Sequence, residues 1–179
     1  DLGGVHAAQG DMNRAAACFK RLVQLNPKDH LAYYRLGLVA AQQGKWDEAG
    51  RYLMKTYELQ PDFGIAATGV VQTYLARKEP AKALAWVKAQ VKARPQDPWL
   101  SNLLGELQGA TGDTTGAEES FIAAQRTAAG WSTPYNNLIV LYARTGQMDQ
   151  AVGKFKESFQ ATRAPRSGQM LAMLQEATR

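Results

Sequence analysis

The chain has little of what covalent or metal-bound frameworks are made from. One cysteine, Cys18, stands among 179 residues, so no disulfide can close within the chain. Two histidines, His6 and His30, are too few for a His/Cys zinc site, and no metal or cofactor is expected. No stretch approaches the roughly 20 consecutive apolar residues needed to span a bilayer, so this chain is not expected to cross a membrane. The opening Asp1-Leu2-Gly3-Gly4 is not a signal peptide. Catalytic signatures are missing as well: there is no G-x-S-x-G elbow, no P-loop and no H-E-x-x-H. Neither charge sign dominates, since 21 Lys+Arg against 16 Asp+Glu leave a net charge of +5. With 45% hydrophobic and 21% charged residues, the composition is that of a folded protein rather than a disordered tail.

What the chain does have is repetition. Ala15, Ala49, Ala83, Ala117 and Ala151 are each 34 residues apart. A second column on that spacing reads Gly10, Gly44, Lys78, Gly112, Gly146, and a third reads Phe19, Leu53, Val87, Phe121, Phe155. Gly3, Gly37 and Gly105 share a further column, and Pro27, Pro61 and Pro95 mark three repeat ends. Chance does not hold several columns in phase without an insertion.

Each unit reads as two helices. Between residues 30 and 61, Tyr33, Leu36 and Ala40 recur at helical spacing. Gln43-Gly44-Lys45 then breaks the pattern, glycine being suited to the left-handed residue that ends a helix. Asp47-Glu48 put acidic groups in the first turn of a second helix, whose apolar stripe is Trp46, Ala49, Leu53 and Tyr57. Asn26-Pro27 and Gln60-Pro61 close helices, and Asp29, Asp62 and Asp97 are candidate N-caps for the next. The alanine column allows two helices to cross closely, where a larger side chain would strain the core. No helix pair can bury its stripe alone, so stacked pairs make one continuous core. The third unit departs locally, with Val71 in the glycine column and Lys78-Glu79-Pro80 at the turn; Pro80 suits a first helical turn.

These residues resemble the tetratricopeptide repeat (TPR), whose pattern is W-x2-L-G-x2-Y, then A-x3-F, then P. Leu36-Gly37, Ala49-x3-Leu53 and Pro61 match it in one unit. Leu104-Gly105 with Ala117-x3-Phe121, and Leu138, Tyr142 with Ala151-x3-Phe155, match in two others. The resemblance implies an all-α, right-handed α-solenoid of antiparallel helix pairs. It implies one array over residues 1–179, with repeats near 1–29 (truncated at its start), 30–63, 64–97, 98–131 and 132–165, and a C-terminal helix at 166–179 carrying Met170, Leu171, Met173 and Leu174. Projecting the period backwards starts the first unit before Asp1, which reads as a fragment of a longer, bacterial repeat protein. Apolar surface around Leu2 and Val5 would then invite self-association. The compartment stays open between cytoplasm and bacterial periplasm or envelope.

The resemblance places the first helix of each pair on a concave face, with one column of side chains per repeat. By phase these are Leu31, Tyr34, Arg35 and Leu38, then Ile65, Thr68, Gln72 and Leu75. Trp99, Asn102, Glu106 and Gly109 follow, then Thr133, Asn136, Asn137, Val140 and Arg144. Leu31 and Ile65 read as packing residues. Asn102 and Asn136 share a column, and such amides can donate to and accept from an extended peptide backbone. Tyr34 and Trp99 read as aromatic anchors. The plain alternative is a wet concave face with no ligand. The carboxylate clamp that some family members use for chaperone tails is not expected, because its columns hold Tyr34, Leu38, Gly69, Trp99 and Leu103.

The expected role is a non-enzymatic scaffold that binds a protein or extended peptide. Two alternatives are an assembly part of a bacterial envelope, secretion or exopolysaccharide system, and a regulatory or substrate-guiding arm of a larger enzyme such as a glycosyltransferase. Eleven of the 21 cationic residues fall on second helices, among them Arg14, Lys20, Lys55, Lys82, Lys88, Lys92 and Lys154. A solvated outer face explains them; weak attachment to an anionic surface is the rival, and specific nucleic-acid reading is not expected. Cys18 reads as a near-core residue. Glu118-Glu119 read as dipole compensation in an early helix turn.

Overall fold

Helices begin at His30, Gly64, Pro98 and Ser132, so the structure keeps the 34-residue period of the sequence. A computed structural model describes residues 2–162 and 165–177, and among these there are eleven helices and no strand. They are α1 (Leu2–Ala8), α2 (Met12–Leu25), α3 (His30–Gln42), α4 (Trp46–Leu59), α5 (Gly64–Ala76) and α6 (Pro80–Ala93). The others are α7 (Pro98–Ala110), α8 (Thr114–Thr127), α9 (Ser132–Thr145), α10 (Met148–Thr162) and α11 (Pro165–Ala177). The fold is thus all-α. Below, the first helix of each pair (α1, α3, α5, α7, α9, α11) is called helix A and the second helix B.

The chain forms two compact units, residues 1–83 and 84–179. In the first, α1 packs on α2, α2 on α3, α3 on α4 and α4 on α5. In the second, α7 packs on α8, α8 on α9, α9 on α10 and α10 on α11, and the helices A also touch directly, α7 with α9 and α9 with α11.

The columns explain this packing. All five alanines are fully buried. The helix-A glycines form notches: a Cβ added at Gly3 would lie 2.6 Å from Phe19 Cε1, at Gly37 2.7 Å from Leu53 Cγ, and at Gly105 2.6 Å from Phe121 Cε1. Each missing side chain makes room for the bulky helix-B residue of the same pair. Around these contacts, Ala15, Phe19, Leu36 and Val39 form the core of the first unit's opening repeats. Ala117, Phe121, Tyr135, Leu138, Leu141, Tyr142, Ala151, Phe155 and Met170 form the core of the second unit.

Helix ends follow local chemistry. Asp29 Oδ1 accepts from Ala32 N at 3.0 Å, and Asp97 Oδ1 accepts from Trp99 N at 2.9 Å and Leu100 N at 3.2 Å. Asp11 and Asp113 cap helices B in the same way. Asp62 does not take the N-cap position, because α5 starts one residue later than that role requires. Phe63 is its N-cap, without a side-chain cap hydrogen bond. On α11, Met170 is buried and Leu171 packs on the core, whereas Met173 is 60% exposed. Two residues on from Leu171, Met173 lies about 200° round the helix from it, on the far side. The side chain of Leu174 and residues 178–179 lie outside the described residues.

Gly10, Gly44, Gly112 and Gly146 all have positive φ, and in the same column Lys78 is forced to φ 59°. An L-residue there is strained by its Cβ. Lys78→Gly is therefore expected to raise stability by about 0.5–1 kcal/mol. A higher urea midpoint checks this, and an unchanged one would mean the turn tolerates lysine without strain.

Candidate functional site

In the second unit, the helix-A residues picked out by phase meet in a cleft of about 170 Å3. Glu106 comes from α7, and Asn137, Val140 and Arg144 come from α9. Gly105 and Gly109 line the same cleft.

The polar centre joins two helices. Asn102 Nδ2 donates to Glu106 Oε1 at 2.8 Å, one turn along α7. Asn137 Nδ2 donates to the same oxygen at 2.9 Å and to Asn102 Oδ1 at 3.1 Å. This corrects the expectation that Asn102 is open to a bound peptide. Asn102 does not face water, being only 5% exposed. Its amide partner is Asn137, while Asn136, the residue in its own column, is exposed. The reason is geometric. Residues in one column point the same way from parallel helices, so a contact between those helices must join the flank of one to the opposite flank of the other.

Trp99 obeys the same rule. Its ring stacks on Trp131, with centroids 5.3 Å apart and planes 15° apart. One face of the expected anchor is therefore already covered. In the first unit Tyr34 packs edge-on against Phe63 at 5.1 Å, and His30 meets that ring at 5.7 Å. Phe63 and Trp131 were not singled out from the sequence, yet a signal existed. They occupy the column of the capping residues Asp29 and Asp97. Where that column lacks a capping side chain, it carries an aromatic ring that packs on the preceding helix A.

The rest of the first unit's helix-A face is more apolar. Leu31, Leu38, Ile65 and Leu75 are each 44–47% exposed, and Gln72 is exposed among them. Leu31 and Ile65 are thus surface residues and not packing residues, since each lies in the first turn of its helix on the side away from helix B. Arg35 is half-buried, with its guanidinium 5.5 Å above the Phe19 ring. At the start of the chain Leu2 and Val5 are exposed too.

Elsewhere many charged residues pair at the surface. Of the helix-B cations, Arg14, Lys20, Lys55, Lys82 and Lys154 form ion pairs with Asp11, Glu48, Glu58, Glu79 and Glu118. Glu118 lies beyond the first turn of α8, which holds no acidic residue, so dipole compensation is not its role. It pairs with Lys154 at 3.9 Å. Burial pushes the Tyr142 hydroxyl's pKa up, and the Glu118 carboxylate adds to the shift. Burial and the Glu48 carboxylate raise that of Tyr52. The Lys82 ammonium, 2.8 Å away, lowers that of Glu79. None of these groups lines the cleft. Cys18 is half-buried. Among the described residues no three His, Cys, Asp or Glu side chains are grouped to hold a metal ion. Nor is any helix there long and apolar enough to cross a membrane.

Two family models, both described as tetratricopeptide repeat, match residues 1–62 and 40–107. Cellulose synthase operon protein C of Xanthomonas axonopodis pv. citri (strain 306) is 31% identical over 132 residues. The match takes in 74% of this chain but only 8% of that much longer protein. TTC0263, a thermophilic TPR protein of Thermus thermophilus, has a similar structure, with a TM-score of 0.60 and 20% identity over 99% of this chain and 95% of that one. YrrB, a TPR protein described as having an unusual peptide-binding site, reaches a TM-score of 0.56 at 17% identity over 97% of this chain and 88% of its own. Likeness at these identities to the solved structures concerns the fold.

Proposed function

Because this chain belongs to the tetratricopeptide-repeat family, a family of protein-interaction scaffolds, we propose that its helix-A faces hold a partner protein or an extended peptide. One observation carries the reading. Glu106, Asn137, Val140 and Arg144, spread over two repeats in sequence, line a single open cleft. That cleft offers a carboxylate, an amide, an exposed apolar side chain and a guanidinium to one ligand. Binding there needs no cofactor, no metal and no chemistry at the bound segment. On the helix-A face of the first unit, Tyr34, Leu38 and Gln72 are the residues offered to a partner.

The test compares faces. A photo-cross-linking residue at Val140 should form adducts with the partner, and one at Lys156 on helix B should not. With a captured partner, Asn136→Ala and Arg144→Ala should each weaken binding by roughly 0.5–1.5 kcal/mol, a normal hydrogen-bond loss, and leave the melting temperature in place. Adducts from Lys156 alone, with affinity lost on replacing Lys88 and Lys92, would move the site to the helix-B side.

The likeness to cellulose synthase operon protein C favours a second reading of the setting: an assembly role in a bacterial exopolysaccharide system, compatible with binding through helix A. Deleting the coding region should then lower exopolysaccharide output while synthase activity in isolated membranes persists. Loss of that synthase activity would point instead to a regulatory arm of the enzyme.

A further inference from the structure

We infer that Glu106 is a receptor for the cationic side chain of a lysine or arginine in the bound segment, an inference that rests on the binding face proposed above. The hydrogen bonds around Glu106 motivate it. Both amide donors, Asn102 from α7 and Asn137 from α9, end on one oxygen, Oε1. Among the described residues no cation pairs with this carboxylate, and no hydrogen bond engages Oε2. Joining two helices requires only an acceptor oxygen, and a glutamine would supply it equally well. The negative charge is therefore surplus to the joint.

That charge is already positioned. Two amides fix the carboxylate, so less side-chain freedom is lost when a ligand arrives. It lines the open cleft, and Val140, 55% exposed, lines the same cleft. A lysine or arginine carries a long aliphatic stem below its charge and can lay that stem on an apolar surface while its head meets a carboxylate. Val140 with Glu106 presents this combination. Arg144 also lines the cleft, but among the described residues it makes no ion pair with Glu106, so the carboxylate is not neutralised from within the cleft.

The experiment uses the full chain, labelled with nitrogen-15, and two blocked alanine-based peptides that differ only in a central lysine or glutamine. The lysine peptide should move the side-chain amide signals of Asn102 and Asn137. The glutamine peptide should need at least about tenfold higher concentration for the same shift, a difference of about 1.4 kcal/mol. Glu106→Gln keeps an acceptor for both amides and so keeps the fold, but it should remove the preference for lysine. Raising the salt concentration should weaken the lysine response in the parent protein and leave the variant unchanged. Equal responses to both peptides, or a lysine preference surviving in Glu106→Gln, would overturn the cation assignment while leaving the binding face intact. If neither peptide shifts any signal from α7 or α9, both the assignment and the face fail.

Discussion

Replacing Phe121 by alanine is expected to destabilise the second unit by about 3–5 kcal/mol, the usual range for removing a buried aromatic ring. Phe121 is 3% exposed and belongs to the cluster that includes Tyr135, Leu138 and Tyr142. Its ring also fills the notch at Gly105, where a Cβ would come within 2.6 Å of Cε1. The alanine variant would leave both the cluster and the notch open. A folded domain has only about 5–15 kcal/mol of net stability, so the loss is a large share of it. Urea unfolding followed by circular dichroism reads the change. The notch supplies an internal control. Gly105→Ala should be destabilising in the parent, because its methyl meets the ring, and tolerated in the Phe121→Ala background, because the ring is gone. The two changes should therefore be far from additive. Additive losses would mean that the ring and the notch do not depend on each other.

Ala117→Leu should cost on the order of 1–3 kcal/mol for the opposite reason, overpacking. Ala117 is fully buried where α8 crosses α7. A Cβ at Gly109 would lie 3.7 Å from both the Ala117 methyl and Leu141 Cδ1, ordinary contact with no room to spare for an isobutyl group. The helices must separate or Leu141 must leave its position. Separation would also disturb the cleft, since Gly109 and Glu106 lie on that helix. A lowered urea midpoint together with shifted Asn137 amide signals is the expected pair of observations. An unchanged midpoint would show that the alanine column is not a crossing point.

Within one repeat the sequence was highly legible. The alanine, Phe/Leu/Val and glycine columns mark buried or notched positions because intra-repeat packing is the same contact made again in each unit, so selection on volume leaves a periodic trace. Lys78 at φ 59° shows how strong that trace is, since the turn keeps its geometry even where glycine is absent. The N-caps were less legible. Asp29 and Asp97 are caps, but Asp62 only neighbours the position, and the true column resident, Phe63, carries a ring in place of a capping oxygen. The helical phase also grouped Glu106, Asn137, Val140 and Arg144, and these four line one cleft. It carried no statement of which of them touch. Phase gives direction from the helix axis; it does not give the offset between neighbouring helices.

The sequence by itself determined the helix pairs, their period, the turns between them and the small residues where they cross. All of these follow from backbone preferences and side-chain volumes acting within the span of one 34-residue repeat. Only the tertiary structure decided that Asn102 is buried, that it meets Asn137 and not Asn136, and that Trp99 spends one face on Trp131. Those contacts join different columns of adjacent repeats. A repeat pattern is silent about them, because it records what is the same in every unit, whereas a site is made where two units differ and face each other.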